Sequence, residues 1–272
     1  MNDQPIGAVP LGTLLPAKPA AAARTAAQQQ RMYTRFNIHQ RLQHFLLVFS
    51  FLGLMTTGMP LRFPELAICR MFIGLLGGPE AVGIIHRCLG LIMATSGAYH
   101  ITYLIVMWFK GHRKHEILFT PLDFNLFLDD MKFFFGLRKE PPRFGRYNWR
   151  EKFDYFGACF GVALMVATGL VIWFPQIVTW VLPGWTVTAA VLLHEYEALL
   201  AGLAIFLSHF YWVHLNPDVY PMSMVWLTGQ ISEDDLKQQH PLEYEEIKER
   251  ERLAAEAALQ APAAAAGEEV AQ

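Results

Sequence analysis

Cysteine is scarce in this sequence, and charge is missing from long stretches of it. Cys69, Cys88 and Cys159 are the only cysteines, and none stands in a C-x-x-C pair. That pattern speaks against a cysteine zinc site, covalent c-type haem attachment and a disulfide framework. Cys88 and Cys159 read as small core residues. No Asp, Glu, Lys or Arg occurs from Leu42 to Leu61, from Cys88 to Phe109, from Tyr155 to His194 or from Ala198 to Pro217. A helix crossing a bilayer needs about 20 apolar residues. The third run is long enough for two crossings, but Pro175, Pro183 and Gly184 interrupt it. The runs predict an all-α integral membrane four-helix bundle, with spans at about 42–60, 83–109, 153–174 and 190–214 inside a membrane domain covering 31–217. No soluble stretch is large enough for a catalytic domain, so any substrate chemistry falls to a partner.

Where charge is present, its distribution sets an orientation. Ten Lys and Arg lie in the loop between spans two and three and at its edges, and Lys18, Arg24, Arg31, Arg35 and Arg41 precede span one. The loop after span one has only Arg62 and Arg70, and the turn from Gln176 to Thr188 has none. Basic loops stay on the cytoplasmic side, so both termini are expected there. The first loop and the Gln176–Thr188 turn are then periplasmic in a bacterial inner membrane. Trp173, Trp180 and Trp185 suit an aromatic belt at the outer surface.

Outside the spans, residues 1–30 are rich in Ala, Pro and Gln and predict a disordered tail, without the basic start and apolar core of a signal peptide. Pro64 to Val82 predicts a short helix on the outer surface, and Phe124 to Gly136 an interfacial helix on the inner one. Residues 218–258 form a cytoplasmic extension, with a soluble helix from Ser232 to Ala258, and 259–272 a loose tail. No internal sequence repeat is evident.

Within the apolar runs lie histidines at 86 and 100 in span two, and at 194 and 209 in span four. Each interval is close to four helical turns, so the members of a pair share a face about 21–22 Å apart. Ionisable side chains are costly inside a membrane. A single histidine there is as often a hydrogen-bonded core residue; four at matched depths on two helices are harder to assign to packing. Two levels of paired imidazoles suit two bis-histidine b-type haems, one above the other, built for electron transfer. A zinc or copper site would want three or four ligands at one depth. His86 and His194 match at the outer level. At the inner level His209 can be met by His100 or by His44 on span one, and depth does not choose between them; His214 is a weaker candidate. Gly53 and Gly161, with Gly58, Gly157 and Gly169, offer close backbone approach to a porphyrin, although small residues also serve ordinary helix packing in membranes. Arg87 at the outer surface and Arg41, Arg35 and Arg150 at the inner one are candidate cations for haem propionates.

These residues carry a resemblance. Span two (IIHRCLGLIMATSGAYHITYL), span four (HEYEALLAGLAIFLSHFYWVH), span one (RFNIHQRLQHFLLVFSFLGLMTTGMPL) and the tail PMSMVWLTGQISEDDLKQQHPLEYEE resemble the di-haem membrane cytochrome b superfamily. That group includes formate dehydrogenase gamma subunits, thiosulfate reductase cytochrome b, nickel–iron hydrogenase b-type cytochromes and the cytochrome b of bc-type complexes. The formate dehydrogenase pattern implies His44, His86, His194 and His209 as axial ligands; the bc pattern implies His86, His100, His194 and His209. The spacing makes His100 the slightly better mate for His209, with His44 kept.

The resemblance also implies a quinone site, for menaquinone or ubiquinone, near the inner haem. Asp154, His214, Lys152 and whichever of His44 and His100 is not a ligand are the titratable groups available. The expected partners are a periplasmic iron–sulfur subunit or multihaem cytochrome c, the quinone and membrane lipid, but not nucleic acid. A stand-alone transmembrane haem reductase and a non-redox anchor or transporter with structural histidines are the competing readings.

Overall fold

The computed structural model describes residues 31–111, 116–217 and 219–269; the predicted tail at 1–30 lies outside them. In chain order the elements are β1 (Met32–Thr34), α1 (Ile38–Arg62), α2 (Ala67–Leu75), α3 (Pro79–Phe109), α4 (Pro121–Phe134), α5 (Trp149–Trp173), α6 (Pro175–Val178) and α7 (Trp185–Leu203). Helix α7 runs on through π-helical turns at Ala204–His209 and Tyr211–Leu215. Beyond it lie α8 (Val225–Thr228), β2 (Gln230–Ser232), α9 (Glu233–Gln239) and α10 (Pro241–Glu269).

Helices α1, α3, α5 and α7 with its extension are each long and apolar enough to cross a membrane. The 25 residues of α1 reach about 37 Å, against a hydrocarbon core of about 30 Å. Helices α1 and α5 begin earlier than the charge-free runs because their caps lie in polar sequence. Asn37 accepts from the Gln40 backbone N–H at 3.0 Å, while the Gln40 side chain accepts from the Asn37 N–H at 3.0 Å. Asn148 and Glu151 repeat this reciprocal cap on α5 at 2.9 and 2.8 Å. Each cap satisfies amide donors that the first helical turn cannot pair internally. The predicted interfacial helix is α4, started by a Thr120–Asp123 capping box and Pro121. The predicted helix from Ser232 is two helices, α9 and α10, separated at His240 by Pro241. Proline has no N–H for the helical ladder.

The bundle is polar inside and apolar outside. Ser50, Thr57, Ser96 and Thr168 are buried, whereas Phe49, Phe153, Phe160 and Leu207 are exposed. Lipid tails solvate apolar side chains as well as a protein core does, so small and hydroxylated residues fill the helix contacts instead.

The two halves of the bundle repeat one another, contrary to the sequence expectation. One constant offset relates Arg35-Phe36-Asn37 to Arg146-Tyr147-Asn148, Thr57-Gly58 to Thr168-Gly169, and Phe63-Pro64 to Phe174-Pro175. Helices α1 and α5 are both 25 residues long, with matching caps: Asn37 at φ −78° and ψ 170° against Asn148 at −81° and 168°, then Phe63 at −120° and 56° against Phe174 at −122° and 53°. Each starts a hairpin, α1 packing on α3 and α5 on α7. We call the end carrying the α1–α3 and α5–α7 connections the loop end, and the other the tail end.

At the tail end the smaller elements gather. Strands β1 and β2 pair antiparallel, Tyr33 opposite Ile231. The Gly229 carbonyl accepts from the Arg35 and Phe36 N–H groups at 2.8 and 3.1 Å. Gly229 has φ +76°, and a Cβ there would stand 2.4 Å from the Phe36 oxygen, so only glycine fits. Buried Glu243 bridges Arg35 and Arg146. Helix α4 is tied to the start of α5 by Lys152–Asp123 at 2.8 Å and by Trp149 donating to Asp130 at 2.9 Å.

Candidate functional site

Near the loop end, α3 and α7 bring His86 and His194 together, edge-on, with ring centroids 6.3 Å apart and planes at 71°. Metal–imidazole bonds are about 2 Å. Two such bonds plus the two ring radii bring centroids to about 6 Å, so a metal between the rings fits the observed gap. The other nitrogen of each ring is held by a threonine. Thr57 donates to the Gly53 carbonyl at 2.8 Å and therefore accepts from His86 Nδ1–H at 2.9 Å. Thr168 donates to the Leu164 carbonyl at 2.7 Å and accepts from His194 Nδ1–H at 2.9 Å. Both histidines are fixed as Nδ1–H tautomers, and each leaves Nε2 with the lone pair a metal needs. The residues after the threonines make room for the rings. A Cβ at Gly58 would stand 3.1 Å from His86 Cε1, and one at Gly169 3.4 Å from His194 Cε1.

Towards the tail end the same repeat is present but its two sides differ. On one side His100 is hydrogen-bonded at both nitrogens: Nδ1 donates to Gln43 Oε1 at 2.9 Å, and the Tyr155 hydroxyl donates to Nε2 at 2.9 Å. On the other side His209 Nδ1 donates to Asp154 Oδ2 at 3.0 Å. Gln43 and Asp154 occupy equivalent positions in α1 and α5, as do His44 and Tyr155. His44 lies in α1. Its Nδ1 is buried without a hydrogen-bond partner, and its ring lies 5.8 Å from that of Trp226. His100 and His209 share this level although His209 is one residue farther from its loop-end histidine. The π-helical turns in α7 absorb that extra residue.

The remaining predicted residues are more dispersed. Arg87 lies over the Trp173 ring at 5.7 Å. Arg41 has a buried Nε without a partner. Gly53 faces Leu89 and Gly161 faces the Glu197 carboxylate, so both lie at contacts between helices. Lys152 is buried against Asp123. His214 packs on Phe210 with ring centroids 4.9 Å apart, its Nδ1 unpartnered. Sequence reasoning passed over Thr57, Thr168, Gln43 and Tyr155. The repeated Thr-Gly-x4-Phe-Pro string was the available signal for the first two.

Comparison with known proteins identifies the family. The cytochrome b556(fdo) subunits of formate dehydrogenase from three strains of Escherichia coli are each 24% identical to this chain over 233 residues, covering 82% of it and 96% of their own length. Residues 35–224 match the family model of prokaryotic cytochrome b561. That stretch contains all four spans and His44, His86, His100, His194, His209 and His214. The chain belongs to the prokaryotic cytochrome b561 family, membrane proteins of electron transfer with haem b as cofactor.

Proposed function

We propose that this chain is a di-haem b subunit that moves electrons across a bacterial inner membrane, between the quinone pool at the tail end and a periplasmic redox partner at the loop end. The observation that carries the reading is the pair His86–His194, set at a metal-spanning separation with both tautomers fixed by threonine. His86 and His194 hold one haem. His44 and His209 hold the second, because His100 has both ring nitrogens engaged within the protein, while His44 Nδ1 has no hydrogen-bond partner. Bound between two imidazoles, haem b supplies one-electron exchange at low-spin iron. Arg87 and Arg41 are candidate cations for propionates at the two levels.

With His44 as ligand, His100 becomes the acid–base group beside the second haem. A quinone exchanges two protons with its two electrons, so a proton carrier must stand near it. Tyr155 and Gln43 hold the His100 ring for that role. Asp154 and His214 are the other candidates; Lys152 is the weakest, because its ammonium is committed to Asp123. The basic loop between α3 and α5 supports a cytoplasmic tail end. The similarity to a formate dehydrogenase subunit supports an oxidoreductase partner, an iron–sulfur subunit or multihaem cytochrome c in the periplasm.

The test is haem quantitation by pyridine haemochrome on the detergent-purified chain, beside His44→Ala and His100→Ala. The expected result is two haems b in the wild type, one in His44→Ala and two in His100→Ala. A folded wild type without haem would overturn the proposal. Loss of a haem from His100→Ala alone would move the second ligand to that residue.

A further inference from the structure

The four histidines assigned to iron do not have equivalent partners. At the loop end both Nδ1–H groups meet neutral hydroxyls, Thr57 and Thr168. At the tail end His209 Nδ1–H meets the Asp154 carboxylate. The equivalent position in the other half is Gln43, a neutral amide at the same kind of distance from His100 Nδ1. His100 is the ring whose Nε2 is closed off by Tyr155. A carboxylate therefore stands behind the ring assigned to iron, and an amide behind the ring that is not. The rest of the contact is the same in both halves: one acceptor oxygen, one turn-equivalent position and one Nδ1–H.

We propose that Asp154 sets the potential of the second haem, holding it below the value a neutral partner would give. The inference rests on the two-haem reading with His209 as ligand. A carboxylate accepting from Nδ1–H draws the proton towards itself and makes the imidazole a more basic donor through Nε2. The added electron density and the negative charge both favour the ferric over the ferrous ion. The couple involved is one electron at iron, and the Nδ1 proton stays within the hydrogen bond. In this role Asp154 acts through His209 and is a positioning residue with an electrostatic consequence.

Asp154→Asn keeps an acceptor oxygen while removing the charge, and Asp154→Ser supplies a hydroxyl like those at the loop end. Both are to be purified as the full chain and titrated potentiometrically with optical detection. The haem missing from His44→Ala identifies the tail-end component. The expected result is two haems per chain and an upward shift of that component alone, about tenfold in its reduction equilibrium, or about 59 mV for a one-electron couple. Two haems with unchanged potentials in both variants would overturn the proposal. So would loss of the tail-end haem from both, since Asp154 would then build the site rather than tune it. A wild type with fewer than two haems would instead break the reading beneath it.

Discussion

Arg35 and Arg146 each donate a guanidinium hydrogen bond to the other's backbone carbonyl. They are equivalent residues of the two halves, so the exchange is what a two-fold relation between the hairpins requires. Glu243 lies against both guanidiniums. The C-terminal segment thus closes over the line where the halves meet.

Glu243→Ala should loosen this closure sharply. Removing one partner from a buried charge cluster costs about 3–5 kcal/mol, because the remaining charges lose their compensation. Limited proteolysis should cut the segment 218–258 much faster in the variant, while the four spans stay resistant.

The same closure should weaken in acid. His240 is buried, its Nδ1 donating to the Gly145 carbonyl at 2.8 Å and its Nε2 accepting from Arg35 at 3.0 Å. Burial, and then the Arg35 guanidinium, push its pKa from 6.5 down to about 3. Arg146, Glu151 and Glu243 also face this cluster. A released tail takes up the proton near 6.5 and a docked one only near 3. Docking is therefore strongest above 6.5 and weakens as pH falls, by about 1.4 kcal/mol per unit. Tail proteolysis should be faster at pH 5 than at pH 7.5, and His240→Gln should flatten that dependence.

Thr57→Val and Thr168→Val each remove the acceptor for a loop-end Nδ1–H without changing side-chain shape. Loss of such a partner weakens metal-ligand sites about 10–100-fold. Both variants should release the loop-end haem more readily on dilution, followed as loss of its absorbance, with the tail-end component retained.

Glycine substitutions should grade with the space available. Gly58→Ala, whose methyl would stand 3.1 Å from the His86 ring, should disturb the loop-end spectrum more than Gly169→Ala, whose methyl would stand 3.4 Å from His194. Equal spectra for the two would argue against ring displacement as the cause.

Deleting Leu207 should convert the π-helical turn to regular helix. His209 would then stand fourteen residues from His194 in regular helix, as His100 does from His86, and keep its level and direction. The expected product keeps both haems; loss of the tail-end one would show that the π-helical turn shapes the His209 site beyond absorbing a residue.

The four spans and the two histidine levels were legible because each depends on coarse signals, charge-free runs and four-turn spacing. The helix starts were not, since Asn37 and Asn148 act through cap geometry outside those runs. The balance between His44 and His100 was hidden for a different reason. It depends on which ring a phenol reaches, and Tyr155 is distant from His100 in sequence yet 2.9 Å away in space. The repeat was obscured by a one-residue stagger in α7 and by few shared side chains between the halves. The tail's attachment through Gly229 and Glu243 left no periodic trace at all.

The position held by His44 in one half and Tyr155 in the other has a genetic reading. Histidine and tyrosine codons differ only in their first base. One nucleotide therefore separates the imidazole-bearing arrangement from the phenol-bearing one.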